Sequence, residues 1–131
     1  MNSILDEILC KDFPNLYRDR HGNMMNTCMC WGFECGDGWF ELLYNISYFL
    51  EKEIESTNYE KDYPICASQV KEKYGTLRFY MSTETDKMSE IIDMHEKMSE
   101  KVCERCGGLE AKTRTVNHWV STICDECFDE R

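Results

Sequence analysis

WFELLYNISYFLEKEIES, residues Trp39–Ser56, is the longest segment of the sequence with an amphipathic helical pattern. At about 100° per residue, its apolar side chains fall on one broad face of a helix. The residues of that face are Leu42, Leu43, Ile46, Phe49, Leu50 and Ile54. The charged residues expected on the opposite side are Glu41, Glu51, Lys52 and Glu55. The pattern predicts a central helix that packs against the rest of the domain through its apolar face.

Downstream of this helix, the pattern changes to that of a β-hairpin. ICASQVKEKYGTLRFYMS, residues Ile65–Ser82, alternates apolar and polar side chains on both sides of Gly75. Alternation favours half-buried strands, and glycine favours a tight turn. We therefore expect an antiparallel pair of strands with its turn near Tyr74–Thr76.

A second long helix is expected after the hairpin, from Asp86 to Lys101, with Thr83 and Asp86 at its start. Its expected apolar face consists of Met88, Ile91, Ile92, His95, Met98 and Val102. We interpret the histidine in this face as a hydrogen-bonded core residue and not as a ligand or a base. Near the N-terminus, Ser3 should begin a short helix that ends before Pro14. Its expected apolar residues are Ile4, Leu5, Ile8 and Leu9. The sequence thus predicts an α+β domain in which helices pack on a small antiparallel sheet.

Four cysteines near the C-terminus have the spacing of a metal site. CERCGG contains Cys103 and Cys106, CDEC contains Cys124 and Cys127, and seventeen residues separate the two pairs. Two C-x2-C turns can direct four thiolates at one ion, and glycine directly after the first turn lets the chain leave it without a steric clash. Four thiolates close the coordination shell, so the sequence predicts one structural zinc ion without a catalytic role.

The chain is expected to form one domain with two parts. Residues 1–102 would form the α+β core, and residues 103–131 would form a zinc-ribbon or treble-clef-like segment packed on it. The sizeable apolar residues of the second part are Leu109, Val116, Trp119, Val120, Ile123 and Phe128. They are too few to offset the conformational entropy that this segment loses on ordering. We therefore expect zinc to stabilise the C-terminal segment, while the core folds without it.

A second group of cysteines precedes the central helix in TCMCWGFECGDGW, residues Thr27–Trp39. Its members, spaced C-x-C-x4-C, are Cys28, Cys30 and Cys35. A metal site there would need a fourth ligand, for which His21 and Asp37 are the nearest candidates. A catalytic thiol is the other alternative, because Cys35 lies just ahead of a helix N-terminus, where the helix dipole lowers a thiol pKa. It would also need His21 or His118 as a base.

A structural interpretation accounts for more of the residues in this segment. Asp37 is a good N-cap for a helix that begins at Gly38 or Trp39. Gly36, like Gly38, allows a sharp change of direction ahead of the helix. Buried cysteines pack as small apolar residues, and three aromatic side chains can bury a large apolar area nearby. These aromatic residues are Trp31, Phe33 and Trp39. We expect a packed helix start and not a reaction centre.

Composition and charge restrict the class of function. The chain has 131 residues, nine cysteines and a net charge of −10. Its N-terminal residues lack the pattern of a secretory signal and no stretch approaches roughly 18 apolar residues, so we expect a cytoplasmic protein without a membrane partner. In a reducing compartment, spaced cysteines are more often metal ligands than disulfides. The acidic residues argue against a duplex-DNA binder and form either a solvated surface or a surface for a basic partner.

Three segments together resemble a family of small uncharacterised proteins from phages and from bacteria that carry prophages. The segments are WGFECGDGWFELL, QVKEKYGTLRFYM and CERCGG…STICDECF, and the resemblance extends from about Trp31 to Phe128. It implies a phage context and a zinc-bearing C-terminal segment, and it assigns no catalytic residue. Small acidic phage proteins often act by binding a host protein, including proteins of defence systems.

These observations lead us to expect a non-enzymatic, zinc-stabilised acidic protein that binds a host protein, such as a component of a defence or nucleic-acid-binding system. One alternative is nucleic-acid binding through the basic, aromatic-rich hairpin segment Lys71–Arg78 and the zinc segment, which would weaken steeply with salt. The other alternative is a small enzyme with Cys35 as its nucleophile. Reaction of that thiol well below about pH 8 would favour the enzyme.

Overall fold

The computed structural model describes residues 1–57 and 64–130. The helices of this part of the chain are α1 (Ser3–Asp12), α2 (Phe40–Ser56), α3 (Asp86–Met98) and α4 (Asp125–Asp129). Its strands are β1 (Phe33–Glu34), β2 (Ala67–Lys73), β3 (Thr76–Met81), β4 (Lys112–Val116) and β5 (Trp119–Ile123). Short 3₁₀ turns occur at Cys28–Trp31, Asp37–Trp39 and Ser99–Lys101. The predicted α+β class is confirmed.

The strands form one mixed sheet and one separate hairpin. The mixed sheet has the order β1-β2-β3, in which β3 is antiparallel to β2 and β1 is parallel to it, with Phe33 opposite Val70. Among the described strands, β4 and β5 pair with each other alone and are antiparallel. The expectation of a purely antiparallel sheet is therefore wrong. Parallel neighbours need a long crossover connection, and α2 provides it between β1 and β2.

The turn of the β2–β3 hairpin lies where the sequence predicts it. Tyr74 and Gly75 are its two central residues, with φ values of 53° and 84°. Two positive φ values in a two-residue loop characterise the type I′ turn, whose twist matches that of the strands. The tip of this hairpin also contacts the β4–β5 hairpin, because Thr122 Oγ1 donates a hydrogen bond to Gly75 O. The C-terminal segment is thus seated on the tip of the first hairpin.

α2 is the predicted central helix, with two differences in its faces. Its buried apolar residues are Leu42, Leu43, Ile46, Leu50 and Ile54. Phe49, predicted to be buried, is 44% exposed. Glu51, predicted on the solvent side, is only 5% exposed, because its carboxylate accepts hydrogen bonds from the backbone N–H groups of Asn15 and Leu16. A buried carboxylate therefore holds the turn that follows α1 against α2.

α1 begins at Ser3 and α3 begins at Asp86, as the sequence predicts. The residue just before each helix is its N-cap: Asn2 caps α1, and Thr85 caps α3, in place of the expected contribution of Thr83. In both helices the capping side chain accepts a hydrogen bond from a backbone N–H of the first turn. The cap is set by the extended backbone just before the helix, and neighbouring polar residues compete for this position.

The apolar faces of α1 and α3 are narrower than predicted. In α1 only Leu9 is buried, whereas Ile4 and Ile8 are 69% and 37% exposed. In α3, Ile91 is half-buried and Met98 is 42% exposed. Both helices therefore carry apolar side chains that the fold of the described chain leaves in contact with solvent.

His95 is a core histidine, as the sequence predicts. Its ring is buried, with Nδ1 lying 2.7 Å from Ile91 O and Nε2 lying 2.7 Å from Asn45 Nδ2. A carbonyl oxygen can only accept a hydrogen bond, so Nδ1 carries the proton and Nε2 accepts from the amide. The ring thus joins α2 to α3.

Two side chains cover the outer edge of β3: that of Glu96, which lies in α3, and that of Ser99, which directly follows α3. Leu77 N donates a hydrogen bond to Ser99 Oγ, and Phe79 N donates one to Glu96 Oε2. Each of the two N···O distances is 2.9 Å. Backbone groups at a sheet edge lack a partner strand, so these two side chains satisfy donors that would otherwise be unpaired.

In the part of the chain that the structure describes, buried apolar residues form two clusters. The larger cluster lies among the helices and the mixed sheet and includes Trp39, Leu43 and Leu77. The smaller cluster lies in the C-terminal segment and consists of Cys103, Ala111, Ile123 and Cys127. Within residues 1–57 and 64–130, none of the helices has the length and the apolar composition needed to cross a membrane.

Candidate metal centre

The four C-terminal cysteines lie in two turns that the fold brings together. Cys103 and Cys106 lie in the turn that follows the 3₁₀ segment Ser99–Lys101. Cys124 is the N-cap of α4, and its Sγ accepts a hydrogen bond from Cys127 N over 3.5 Å. The antiparallel β4–β5 hairpin between the turns reverses the chain and thereby returns the second pair of cysteines to the first.

The sulfur atoms of these cysteines fit one metal ion. All four Sγ atoms lie within 4.8 Å of one another, and they are the one group of potential metal ligands found in the described residues. Cys106 Sγ and Cys124 Sγ are 3.7 Å apart. A regular tetrahedron with metal–sulfur bonds of about 2.3 Å has sulfur–sulfur edges of about 3.8 Å. The cluster could therefore bind a metal ion. His118, named above as a possible base, lies outside this group, in the β4–β5 turn.

Backbone N–H groups point at the sulfur atoms. Cys106 N donates a hydrogen bond to Cys103 Sγ at a distance of 3.5 Å, and Gly108 N donates one to Cys106 Sγ at 3.4 Å. Burial by itself would raise the pKa of the Cys103 thiol, but backbone N–H donors, that of Cys124 foremost, lower it to about 6. Burial and the adjacent thiols raise the pKa of Cys127. One thiolate is favoured by the backbone alone, and a bound cation would stabilise the other three.

The first cysteine turn packs directly on the segment that precedes α2. Gly38 N donates a hydrogen bond to Glu104 O, and Gly36 N donates one to Glu104 Oε2. Each of the two N···O distances is 2.8 Å. A Cβ on Gly38 would lie 2.2 Å from Cys103 O, and a Cβ on Gly36 would lie 2.3 Å from Glu104 O. The two glycines are therefore required by the contact between two backbones. The predicted reason, a sharp change of direction, is secondary.

Asp37 does not cap α2, so that prediction is wrong. Neither α2 nor the 3₁₀ turn ahead of it has a side-chain cap. The Asp37 carboxylate instead accepts hydrogen bonds from Asn2 N and Asn2 Nδ2, at 2.7 and 3.1 Å. Trp39 is fully buried, and its Nε1 donates to Val102 O. The segment is a packed junction of α1, α2 and the cysteine turn, in agreement with the structural interpretation.

Cys28, Cys30 and Cys35 form no second group of metal ligands in the described part of the chain. The first two lie in a 3₁₀ turn, exposed and half-buried, beside Trp31, which is 61% exposed and not buried as expected. Cys35 is buried after β1, and its burial, followed by the nearby Glu104 carboxylate, raises the pKa of its thiol to about 12. No histidine of the described chain is hydrogen-bonded to it. These properties are the opposite of those that activate a catalytic thiol.

Glu104 is the residue of this site that sequence reasoning missed. Its side chain and its carbonyl bind the two glycine N–H groups ahead of α2, and its own N–H donates to Thr122 O over 3.1 Å. Burial raises the pKa of its carboxyl, although the Gly36 N–H opposes this shift. The ligand spacing of a C-x2-C turn fixes the two cysteines but not the identity or the role of the two residues between them, of which Glu104 is one. The GDG sequence is the one signal of a close backbone contact, and it does not identify the partner.

A scan against protein-family models finds no family that matches the chain, and searches of curated proteins and of solved structures find no similar protein and no similar structure. The function must therefore be inferred from the residues and the geometry of this chain.

Proposed function

We propose that the four cysteines bind one structural zinc ion and that the C-terminal segment is a zinc-ribbon or treble-clef-like unit. The sulfur spacing supports a closed tetrahedral shell, which leaves no position for a substrate. The order of turn, hairpin and helix, with one cysteine pair at each end, supports the proposed unit. Zinc is the usual ion of such four-thiolate sites, and iron is its main competitor.

Native mass spectrometry of the reduced protein tests this assignment. We expect one zinc ion per chain in the wild type and none after exposure to a strong chelator. A protein that contains iron, with the visible absorption of an iron–thiolate centre, would refute zinc. A protein that contains no metal and takes up no added zinc would refute the site.

We further propose a non-enzymatic role, in which the protein binds another protein through the outer side of α2 and α3. The observation that carries this proposal is an exposed apolar surface, the α2–α3 groove. Its residues are Tyr48, Phe49, Met94 and Met98, which are 44%, 44%, 56% and 42% exposed. Aromatic residues and methionine are enriched at protein interfaces, and exposed apolar patches commonly mark such surfaces.

Contacts between the two helices support the placement of these residues around one groove. Asn45 Nδ2 lies 2.7 Å from His95 Nε2, and Lys87 Nζ lies 3.0 Å from Glu53 Oε1, so α2 and α3 are antiparallel neighbours. The two methionines follow Lys87 by seven and eleven residues, a spacing that puts them on the same side of α3. The ring centroids of Phe49 and His95 are 6.3 Å apart. Tyr48 is connected to this region through its ring, whose centroid is 5.5 Å from that of Phe49. These contacts and spacings support one shared exposed surface along the line where α2 and α3 meet.

The partner that we propose is a host protein with an apolar surface flanked by basic residues. The net charge of −10 supports a basic partner, because opposite charges accelerate association and exclude acidic competitors. A host partner follows from the resemblance to phage and prophage proteins, and so does a place in the host cytoplasm. Such a partner would include components of defence or nucleic-acid-binding systems.

Nucleic-acid binding is the second candidate function, and the tip of the β2–β3 hairpin favours it. Tyr74 is 71% exposed, and Lys73 Nζ lies 5.8 Å from the centroid of its ring. An exposed aromatic ring beside a cation can stack on a base and neutralise a phosphate. The acidic charge of the chain as a whole opposes this function.

Binding measurements with matched variants distinguish the two functions. After the partner has been captured from host lysate and purified, the double variant Phe49→Ser/Met94→Ser should weaken its binding at least about tenfold, because buried apolar anchors dominate interface energies. Met25→Ser is the control, since this side chain is 84% exposed but lies outside the groove. If the double variant bound the partner with wild-type affinity, the proposal that the partner binds at the α2–α3 groove would be refuted. Nucleic-acid binding that weakens with salt and is lost in a triple variant of Lys71, Lys73 and Arg78 would instead support the second candidate.

A further inference from the structure

The four thiols of the metal centre differ in exposure. Cys103 is fully buried and Cys127 is 7% exposed, whereas Cys106 is exposed and Cys124 is half-buried. The sulfur atoms of the two outer cysteines are 3.7 Å apart and border a surface cavity of about 390 Å³. One side of the centre is therefore accessible to small molecules from solvent.

We propose that this centre is a redox switch, in which a peroxide joins the two outer cysteines in a disulfide and the metal ion is released. The inference rests on the proposed zinc site. The Cys106 thiolate attacks one peroxide oxygen, the O–O bond breaks, and a sulfenic acid and a hydroxide ion form. The Cys124 thiolate attacks the oxidised sulfur, the S–S bond forms, and a second hydroxide ion leaves. Two thiolates lose two electrons to the peroxide, and two protons from solvent convert the hydroxide ions to water.

The geometry favours a disulfide between the two turns. A disulfide bond is about 2.05 Å long, so the outer sulfur atoms need to approach by about 1.7 Å. The Cys106 side chain is exposed and that of Cys124 is half-buried, and movement of Cys124 Sγ would also weaken the hydrogen bond that it accepts from Cys127 N. The ion would keep only Cys103 and Cys127 as protein ligands. A site with two thiolates lacks the closed shell that holds a structural zinc ion, so the ion dissociates.

Three other thiols of the chain, those of Cys10, Cys35 and Cys66, are poorer targets for a peroxide. Burial raises the pKa of Cys10 and Cys35 to about 12 and that of Cys66 to about 11, so these residues are thiols and not thiolates at neutral pH. The thiolate is the species that reacts. Cys28 is the exposed thiol outside the centre, and it provides the control.

Release of the ion would be transmitted to the core through the first cysteine turn. Glu104 lies between the two cysteines of that turn and holds the N–H groups of Gly36 and Gly38. When the turn loses its metal, these hydrogen bonds lose the support that fixes their acceptors. Amide exchange at the two glycines should therefore accelerate at least about tenfold after oxidation, as expected when local structure opens.

The test compares the zinc-loaded wild type with two variants under hydrogen peroxide. Cys106→His removes the exposed thiol but retains an accepted zinc ligand set of three cysteines and one histidine. Cys28→Ser removes an exposed thiol outside the centre. Zinc release is followed with a chromogenic chelator, and disulfides are located by peptide mass spectrometry. Wild type and Cys28→Ser should release one zinc ion per disulfide between Cys106 and Cys124, and Cys106→His should release zinc at least about tenfold more slowly.

Three results would overturn the switch while leaving the zinc site intact. They are retention of zinc under peroxide, disulfides confined within each C-x2-C turn, and release from Cys106→His at the wild-type rate. Absence of zinc from the reduced wild type before oxidation would instead refute the metal centre itself, and with it the switch.

Discussion

Replacing Gly38 with alanine should separate the cysteine turn from the start of α2. The added Cβ would lie 2.2 Å from Cys103 O and 2.6 Å from both the carbonyl carbon and the oxygen of Glu104. Non-bonded carbon atoms have their optimal separation at about 3.5–4.0 Å. All three neighbours are backbone atoms, which cannot rotate away as a side chain can. One of the two segments must therefore move by about 1 Å.

The expected loss is about 1–3.5 kcal/mol of unfolding free energy. Overpacking a close contact costs about 1–3 kcal/mol, and loss of the hydrogen bond from Gly38 N to Glu104 O adds about 1 kcal/mol. Alanine restricts the unfolded chain more than glycine does, which offsets about 0.4–1 kcal/mol. Because Glu104 lies between two cysteines of the centre, zinc affinity should fall together with stability.

Urea unfolding of the zinc-loaded protein, followed by circular dichroism, measures this loss, and competition with a chelator measures the affinity. Gly108→Ala is the matched control in the same turn, since its Cβ would meet only Cys106 Sγ, at 3.4 Å. Its effect should stay below about 1 kcal/mol. If Gly38→Ala were as stable as the control and bound zinc equally well, the argument from backbone contact would be refuted.

Metal removal and a buried carboxyl provide two further predictions. Removing zinc with a chelator should reduce the hydrogen-exchange protection of β4, β5 and α4 while α2 and α3 keep theirs, because the larger apolar cluster does not contain the cysteine ligands. Simultaneous loss of protection in all elements would show that residues 1–102 and 103–131 unfold as one unit. Glu51→Ala should lower the unfolding free energy by about 2–3 kcal/mol, since it leaves two backbone donors without an acceptor, and Glu51→Gln should cost less. Burial raises the pKa of Glu51, so the contribution of its protonated form is complete below the unfolded pKa and is lost as pH rises through the folded pKa. The stability of the wild type relative to Glu51→Gln should therefore fall in urea titrations as the pH rises through the raised folded-state pKa of Glu51, and a constant difference would contradict this protonation argument.

Periodicity predicted the elements that bury an apolar face. α2, α3 and the β2–β3 hairpin agree with the sequence within a few residues, because each has enough residues to show its repeat. β1 could not be predicted, since Phe33–Glu34 is too short to alternate and its parallel partner follows only after α2. Glu51 was assigned to the wrong face because a pattern of apolar residues cannot show that a carboxylate has two buried donors to bind.

The four cysteines that lie together in the candidate metal centre were predicted residue by residue, whereas the attachment of this centre to the core was not. The spacing of cysteines follows from the local geometry of a metal-binding turn, so it is visible in the sequence. The contact between Gly36 and Glu104 joins residues 68 positions apart and depends on how two separate segments pack. The same reason explains the error at Asp37, whose hydrogen-bond partner is the distant Asn2 and not the adjacent helix.

The side chains of Ser99 and Glu96 that cover β3 also affect how the chain can assemble. An uncovered strand can accept a peptide as an additional strand, or a second copy as the first step of aggregation. Here the N–H groups of Leu77 and Phe79 already have acceptors within the chain. An incoming strand would have to displace both side chains before it gained its own hydrogen bonds. Addition of strands at this edge is therefore disfavoured, whether by a ligand or by an aggregating neighbour.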